Sequence, residues 1–265
     1  YNMNEGIGTS LMDHSSNSNN GTLENMDNSD WVADSPLSGT YSGGSGTSGD
    51  PYQIATTADL IELSNTSADW SAYFIQTADI AFNADETQVD WDGDGSATWD
   101  TEDQKGFLPI GNSSDKFTGS YNGDGHTIDY LYIDRASTDY IGLFGYINNA
   151  TINSIGVTNV DITGDTYIGG LTGGSYSSST ISRCYVTGSV AVANDAGGFL
   201  GYNLSSSINN SYSTADVSRS SGEIGIYFAS FCGYTNQGNI EYCYSNGNVV
   251  YEGGTDPTDK GFVGY

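Results

Sequence analysis

Apolar residues come in short runs along this chain, and in its second half the runs recur. Ile141-Gly142-Leu143-Phe144-Gly145-Tyr146 returns as Gly169-Gly170-Leu171-Thr172-Gly173-Gly174 and as Gly197-Gly198-Phe199-Leu200-Gly201-Tyr202. It returns again as Ser230-Phe231-Cys232-Gly233-Tyr234 and as Gly261-Phe262-Val263-Gly264-Tyr265. The leading apolar residues are 28, 28, 32 and 31 positions apart. A period of that length marks a repeat architecture. Each unit holds a second apolar run, as in Thr151-Ile152-Asn153-Ser154-Ile155-Gly156-Val157, and a third, as in Val160-Asp161-Ile162. Runs this short, with alternating inward residues, are strands and not amphipathic helices.

Three short strands per unit, punctuated by Gly, Asn, Ser and Asp, predict an all-β right-handed parallel β-solenoid in which each coil pairs with the next. Equivalent residues then stack. One expected ladder is Leu143, Leu171, Phe199, Phe231 and Phe262; another is Ile152, Ile181, Ile208 and Ile240. The glycines are expected to mark tight corners. An antiparallel sandwich has similar strand content but needs no repeat.

The Gly-Leu/Phe-x-Gly-Tyr units resemble the GLUG motif repeats of bacterial surface and adhesin-like proteins. The segments Gly46 to Ile54, Ala58-Asp59-Leu60, Pro109-Ile110-Gly111 and Phe117 to Ile128 resemble the leader of such repeats. The resemblance covers about residues 44–265 and implies a surface protein with no catalytic motif. Two units depart from it: Gly174 replaces the aromatic residue, and Cys232 stands where the others carry an apolar residue or Thr. Residues Glu5 to Leu11 and Asp13 to Leu23 resemble the opening strands of laminin-G or concanavalin-like domains.

The expected organisation is an N-terminal arm over 1–35, a Gly/Ser linker over 36–50, a capping and leader region over 51–140 and repeat coils over 141–265. The arm has three open readings: a remnant of an upstream domain, an extension packed on its own solenoid, or a strand donated to a neighbour. Thr57 to Leu63 is the credible helix, with Thr56 or Thr57 as its cap and Leu60, Ile61 and Leu63 as its apolar side. It is expected to cover the solenoid end. Gly123-Asp124-Gly125 predicts a tight turn between early strands. The last unit opens a new coil with no visible cap, so a continuing chain or a neighbouring subunit is expected to complete it.

Six Lys and Arg stand against 33 Asp and Glu, a net charge of −27. That excludes nucleic acid and anionic membrane as partners and suits an extracellular, saline setting. No run of 18 apolar residues predicts a membrane span. The sequence opens without Met or a signal peptide and is read as a piece of a larger secreted product. The three cysteines make no disulfide framework. Cys184 and Cys243 fall two coils apart, beyond bridging distance, and Cys232 with Cys243 is the one pair to consider beside free buried thiols. Asn-x-Ser/Thr sequons stand at Asn20, Asn65, Asn112, Asn149, Asn203 and Asn209.

One cluster carries candidate chemistry. Asp90-Trp91-Asp92-Gly93-Asp94-Gly95 has the first half of a Ca²⁺-loop spacing. Position 12 is Thr101, so Asp100, Glu102 or Asp103 must substitute; the expected ligand set is Asp90, Asp92, Asp94 and Asp100. The structural reading is an acidic loop stapled by Trp91 and Trp99. His14 and His126 are single, and Arg135, Arg183 and Arg219 do not cluster as a polysaccharide lyase requires. Thr158, Thr187 and Thr214 form a ladder too short to argue for ice binding. The expectation is a non-catalytic extracellular filament or adhesin subunit, self-associating head to tail. A module binding surface glycans on its Tyr-rich faces is the alternative, and a polysaccharide-active enzyme comes third.

Overall fold

A computed structural model describes residues 10–11, 21–22, 41–93, 95, 100–219, 227–251 and 261–264. Residues 1–40 form one unit and 41–265 another. In the first unit, Ser10–Leu11 pairs antiparallel with Gly21–Thr22.

The second unit is a parallel β-solenoid. A seven-stranded sheet runs from Tyr52–Ile54 through Tyr73–Gln76, Ser120–Asn122, Thr151–Asn153, Thr180–Ser182 and Ser207–Asn209 to Asn239–Glu241. A nine-stranded sheet includes Thr127–Asp129, Gly156–Gly164, Tyr185–Val192 and Val249–Tyr251. A third sheet joins Phe144–Asn148, Thr172–Tyr176, Leu200–Leu204 and Cys232–Asn236. Registers align Ile152, Ile181, Ile208 and Ile240 residue for residue. The other expected ladder holds too: Leu143, Leu171, Phe199 and Phe231 are wholly buried, and Phe231 stacks on Phe262.

Two expectations are corrected. The second apolar run is not one strand. Ser154 (φ 55°), Arg183 (φ 55°), Asn210 (φ 50°) and Tyr242 (φ 54°) turn the chain at the same place in successive coils. Beyond the corner, the rest of the run merges with the third run into one strand in the first two repeats, Gly156–Gly164 and Tyr185–Val192. The sign was a spacing of three between inward residues, Ile152 to Ile155, where a straight strand alternates by two.

The signature glycines divide: Gly142, Gly170 and Gly198 lie at bends, as expected but without positive φ, whereas Gly145, Gly173, Gly201 and Gly233 lie inside strands. The latter are sites of close backbone approach. A Cβ on Gly145 would lie 2.3 Å from the Gly111 carbonyl oxygen, and one on Gly201 2.3 Å from the Tyr167 carbonyl carbon. A Cβ on Gly233 would lie 2.7 Å from the Gly201 carbonyl oxygen. By contrast, Asp124 (φ 51°) and Gly125 (φ 89°) make the expected tight turn.

The helix spans Thr57–Asn65, α1. Thr56 caps it, accepting from Asp59 N, while the Asp59 carboxylate accepts from Thr56 N in return. Buried Leu60, Ile61 and Leu63 join the solenoid core. The linker reading is corrected for residues 41–50. Tyr41 is buried against Tyr52 and Phe74, Gly43 bridges Gln53, and Ser42 donates to Asp59 at 2.7 Å. A Gly-rich composition marks flexibility only where nothing supplies partners for the backbone, and here the end of the first sheet supplies them. Residues 36–40 lie outside the described ones.

Candidate functional site

The acidic loop folds around Trp91. Its ring lies on Phe82 at 4.6 Å, and its indole donates to the Glu86 carbonyl. The Trp91 backbone N–H donates to the Asp103 carboxylate at 2.7 Å. That contact draws Asp103, itself buried, toward the loop. Carboxylate oxygens of Asp90, Asp92 and Asp103 lie within 4.8 Å of one another. Asp90 also accepts from Gly93 N and Gly95 N, which closes the loop.

Among the described residues, the carboxylate brought beside Asp90 and Asp92 is thus that of Asp103 and not that of Asp100. Asp100 accepts from the backbone N–H groups of Glu102 and Asp103, so it shapes the turn that presents Asp103. Asp94 and Trp99 lie outside the described residues. Three carboxylates in such proximity offer an all-oxygen donor set, the chemistry of a hard cation such as Ca²⁺.

The tyrosines form two outward ladders. Tyr185, Tyr212 and Tyr244 stack at 5.0 and 4.9 Å with planes within 5°. On the third sheet Tyr146, Tyr176, Tyr202 and Tyr234 stack at 4.2, 5.4 and 4.8 Å. The glycine that breaks the pattern, Gly174, is explained here. It pairs between Tyr146 and Tyr202, and the ring of Tyr176 occupies the space beside it, 2.7 Å from where a Cβ would sit. Burial first, and the Tyr140 hydroxyl at 3.2 Å second, hold the Tyr176 phenol well above its ordinary pKa. Ring faces inside both ladders are covered by the neighbouring rings, and only the end of a ladder, such as Tyr244, leaves a face open among the described residues. What the ladders present outward is edges and hydroxyls, whereas a sugar stacks on a face.

The remaining sequence candidates have structural partners. His126 Nδ1 lies 3.2 Å from Asp79. The Thr127 N–H and then His126 hold the Asp79 carboxyl below its ordinary range. Arg135 donates to the carbonyls of Phe107 and Gly106, and Arg183 to Ser154 and Asn153. Arg219 is buried over the Phe228 ring. Cys184, Cys232 and Cys243 are free thiols. Of the sequon asparagines, Asn203 is wholly buried, while Asn65, Asn112 and Asn149 are exposed. His14 and Asn20 lie outside the described residues. Among the described residues no helix is long and apolar enough to cross a membrane.

A cavity of about 500 Å³ lies between α1 and the segment from Ala81 to Gly93. No local motif foretold it, because its walls come from residues far apart in sequence.

Comparison with known proteins agrees with the repeat. The family model of the GLUG motif matches residues 193–218, which hold the signature and the later apolar runs of the third unit. The chain is 36% identical over 171 residues, 62% of its length, to halomucin of Haloquadratum walsbyi. It is 30% identical over 148 residues, 52% of its length, to a protein of Evansella cellulosilytica provisionally described as a Gly-rich membrane protein. These alignments span 2% and 15% of those relatives. The fold is similar to that of a Bacteroides ovatus protein provisionally described as an immunoglobulin A1 protease, with a TM-score of 0.59 and 24% identity over 78% of this chain and 60% of that one. The chain thus carries GLUG-motif repeats on a β-solenoid.

Proposed function

We propose that this chain is a non-catalytic structural segment of an extracellular surface protein, a stiff rod that assembles with further coils through its end strands. One observation carries the proposal. On the first sheet each repeat coil meets the next in the same register with Ile on Ile, so one coil is a template for another. Asn239–Glu241, Tyr244–Ser245 and Val249–Tyr251 each pair with the preceding coil, and Val263 opens a further one by bridging Cys232. A second copy docking there makes a heterologous contact, which repeats into a filament. The GLUG motif, the similarity to a protein described as a membrane protein, and the net charge of −27 support a location at the cell surface. Donation of the N-terminal arm to a neighbour belongs to the same reading.

Electron microscopy of the secreted protein without added ligand tests this. Fibres with a repeat near one solenoid length are the expected result. Dispersed monomers at high concentration overturn self-assembly and leave a rod segment within a longer chain.

Calcium binding by Asp90, Asp92 and Asp103 is the second part of the proposal. A ligand held only by the folded state raises its stability by mass action. Millimolar Ca²⁺ is expected to raise the melting temperature over that in EDTA, and D103N is expected to abolish the rise. An unchanged melting temperature removes this part.

A further inference from the structure

The cavity beside α1 has a size and lining that the rod reading does not use. Its volume of about 500 Å³ falls within the roughly 300–1,000 Å³ of small-molecule sites. Ile61, Phe82 and Val89 give it apolar walls, and both Ile61 and Phe82 are fixed in the core.

Beside Thr57 and Asp90, four polar side chains line it as well. Each spends one atom on the fold. Asn65 Nδ2 donates to the Asp92 carbonyl at 2.9 Å. Asn83 Oδ1 accepts from Asp85 N at 3.0 Å. Gln88 Nε2 donates to the Asp85 carboxylate at 2.8 Å, and Glu62 Oε1 accepts from the Thr66 hydroxyl at 2.9 Å. Among the described residues, the other polar atom of each has no partner. What these four leave is three acceptors (Asn65 Oδ1, Gln88 Oε1 and Glu62 Oε2) and one donor, Asn83 Nδ2, beside the Thr57 hydroxyl, which can do both.

That inventory selects among ligands. An anion is repelled by Glu62 and Asp90 at the lining. An ammonium ion satisfies the acceptors and is attracted by Glu62 and Asp90, but makes no use of the Asn83 amide donor. Hydroxyl groups both donate and accept, so a polyhydroxylated neutral ligand uses all four atoms, and its C–H face suits the apolar walls. We infer that the cavity between α1 and the Ala81–Gly93 segment is a binding site for a neutral saccharide. Glu62 and Asn65 are held by the capped helix α1, and Asn83 and Gln88 by the segment that faces it. The site does not rest on self-assembly, and a glycan would bind at the cap and not along the tyrosine ladders.

Ligand-observed saturation-transfer NMR on the full chain tests it, with maltose, cellobiose and N,N′-diacetylchitobiose as probes and choline as the cationic competitor. Transfer to at least one disaccharide at millimolar concentration is expected, with no displacement by choline. The exposed pair N83A/Q88L is expected to weaken binding at least tenfold. A58W, a solvent-exposed helix position at the cavity, is expected to abolish it by filling the space. Absence of transfer to all three disaccharides overturns the inference. So does binding that survives both variants, which places the sugar elsewhere, or choline binding in place of sugar.

Discussion

The leader and the repeat coils build one continuous core by different means, and their aromatic rings show the contrast. In the repeats, like residues lie one coil apart and rings stack: Phe199 on Phe231 at 4.7 Å and 7°, Phe231 on Phe262 at 4.6 Å and 11°. The separation is that of neighbouring strands. In the leader, rings meet at angles: Phe82 with Trp91 at 35°, Phe74 with Phe117 at 40°, Phe82 with Phe107 at 57°. No period places like residues there, so each ring fits a unique hollow. Polar burial divides in the same way. In the leader a single Gln76 amide donates to both Ala78 and Thr127 carbonyls and its oxygen accepts from Tyr121. In the repeats Ser179 and Ser211, at two different corners, each accept from a backbone N–H of the preceding coil. A repeat solves one packing problem and copies it; the leader solves each once.

This contrast predicts where substitutions hurt. The largest effect belongs to the copied backbone contacts. G201V places a side chain where a Cβ alone would meet Tyr167 at 2.3 Å, and a loss of more than about 3 kcal/mol is expected in urea denaturation. G49A, in the leader where a Cβ meets nothing within 4 Å, is expected to stay within about 0.5 kcal/mol. Equal losses would refute close approach as the reason for the signature glycine.

Next come the rings. F199L inserts the residue that two other coils already carry at that ladder position, so a cost below about 1.5 kcal/mol is expected. W91L removes a buried ring from a hollow shaped for it and is expected to cost about 3 kcal/mol. If the two cost the same, ladder positions are no more interchangeable than leader ones.

A smaller effect is alkaline. Burial pushes the Cys184 and Cys232 thiols up to about 12 from an ordinary 9.0. Above pH 9 the unfolded chain releases these protons while the folded chain keeps them. Their contribution is therefore complete below pH 9 and is lost as pH rises toward 12, by roughly 1.4 kcal/mol per pH unit for each thiol. Urea midpoints measured from pH 8 to 11 are expected to fall, and less steeply in C184A/C232A. An unchanged slope would assign the loss to tyrosines such as Tyr121, also raised by burial.

Local pattern and periodicity explain what the sequence by itself determined: the parallel coils, both inward ladders and a helix from Thr57. Each of these comes from residues adjacent in sequence or one period apart, and stacking coils only superposes what the period already aligns. Tertiary structure alone decided the rest. Whether Asp100 or Asp103 joins Asp90 depended on which carboxylate the Trp91 N–H captured. The corner residues are Ser, Arg, Asn and Tyr, a set with no common propensity, because a closed coil imposes its turn on whatever residue falls there. Tyr176 occupies the place that Gly174 leaves open because the rings on either side leave space of just that shape. The cavity beside α1 joins Glu62 and Asn65 to Asn83 and Gln88, residues with no periodic relation, and such a meeting is fixed by the path of the chain through space.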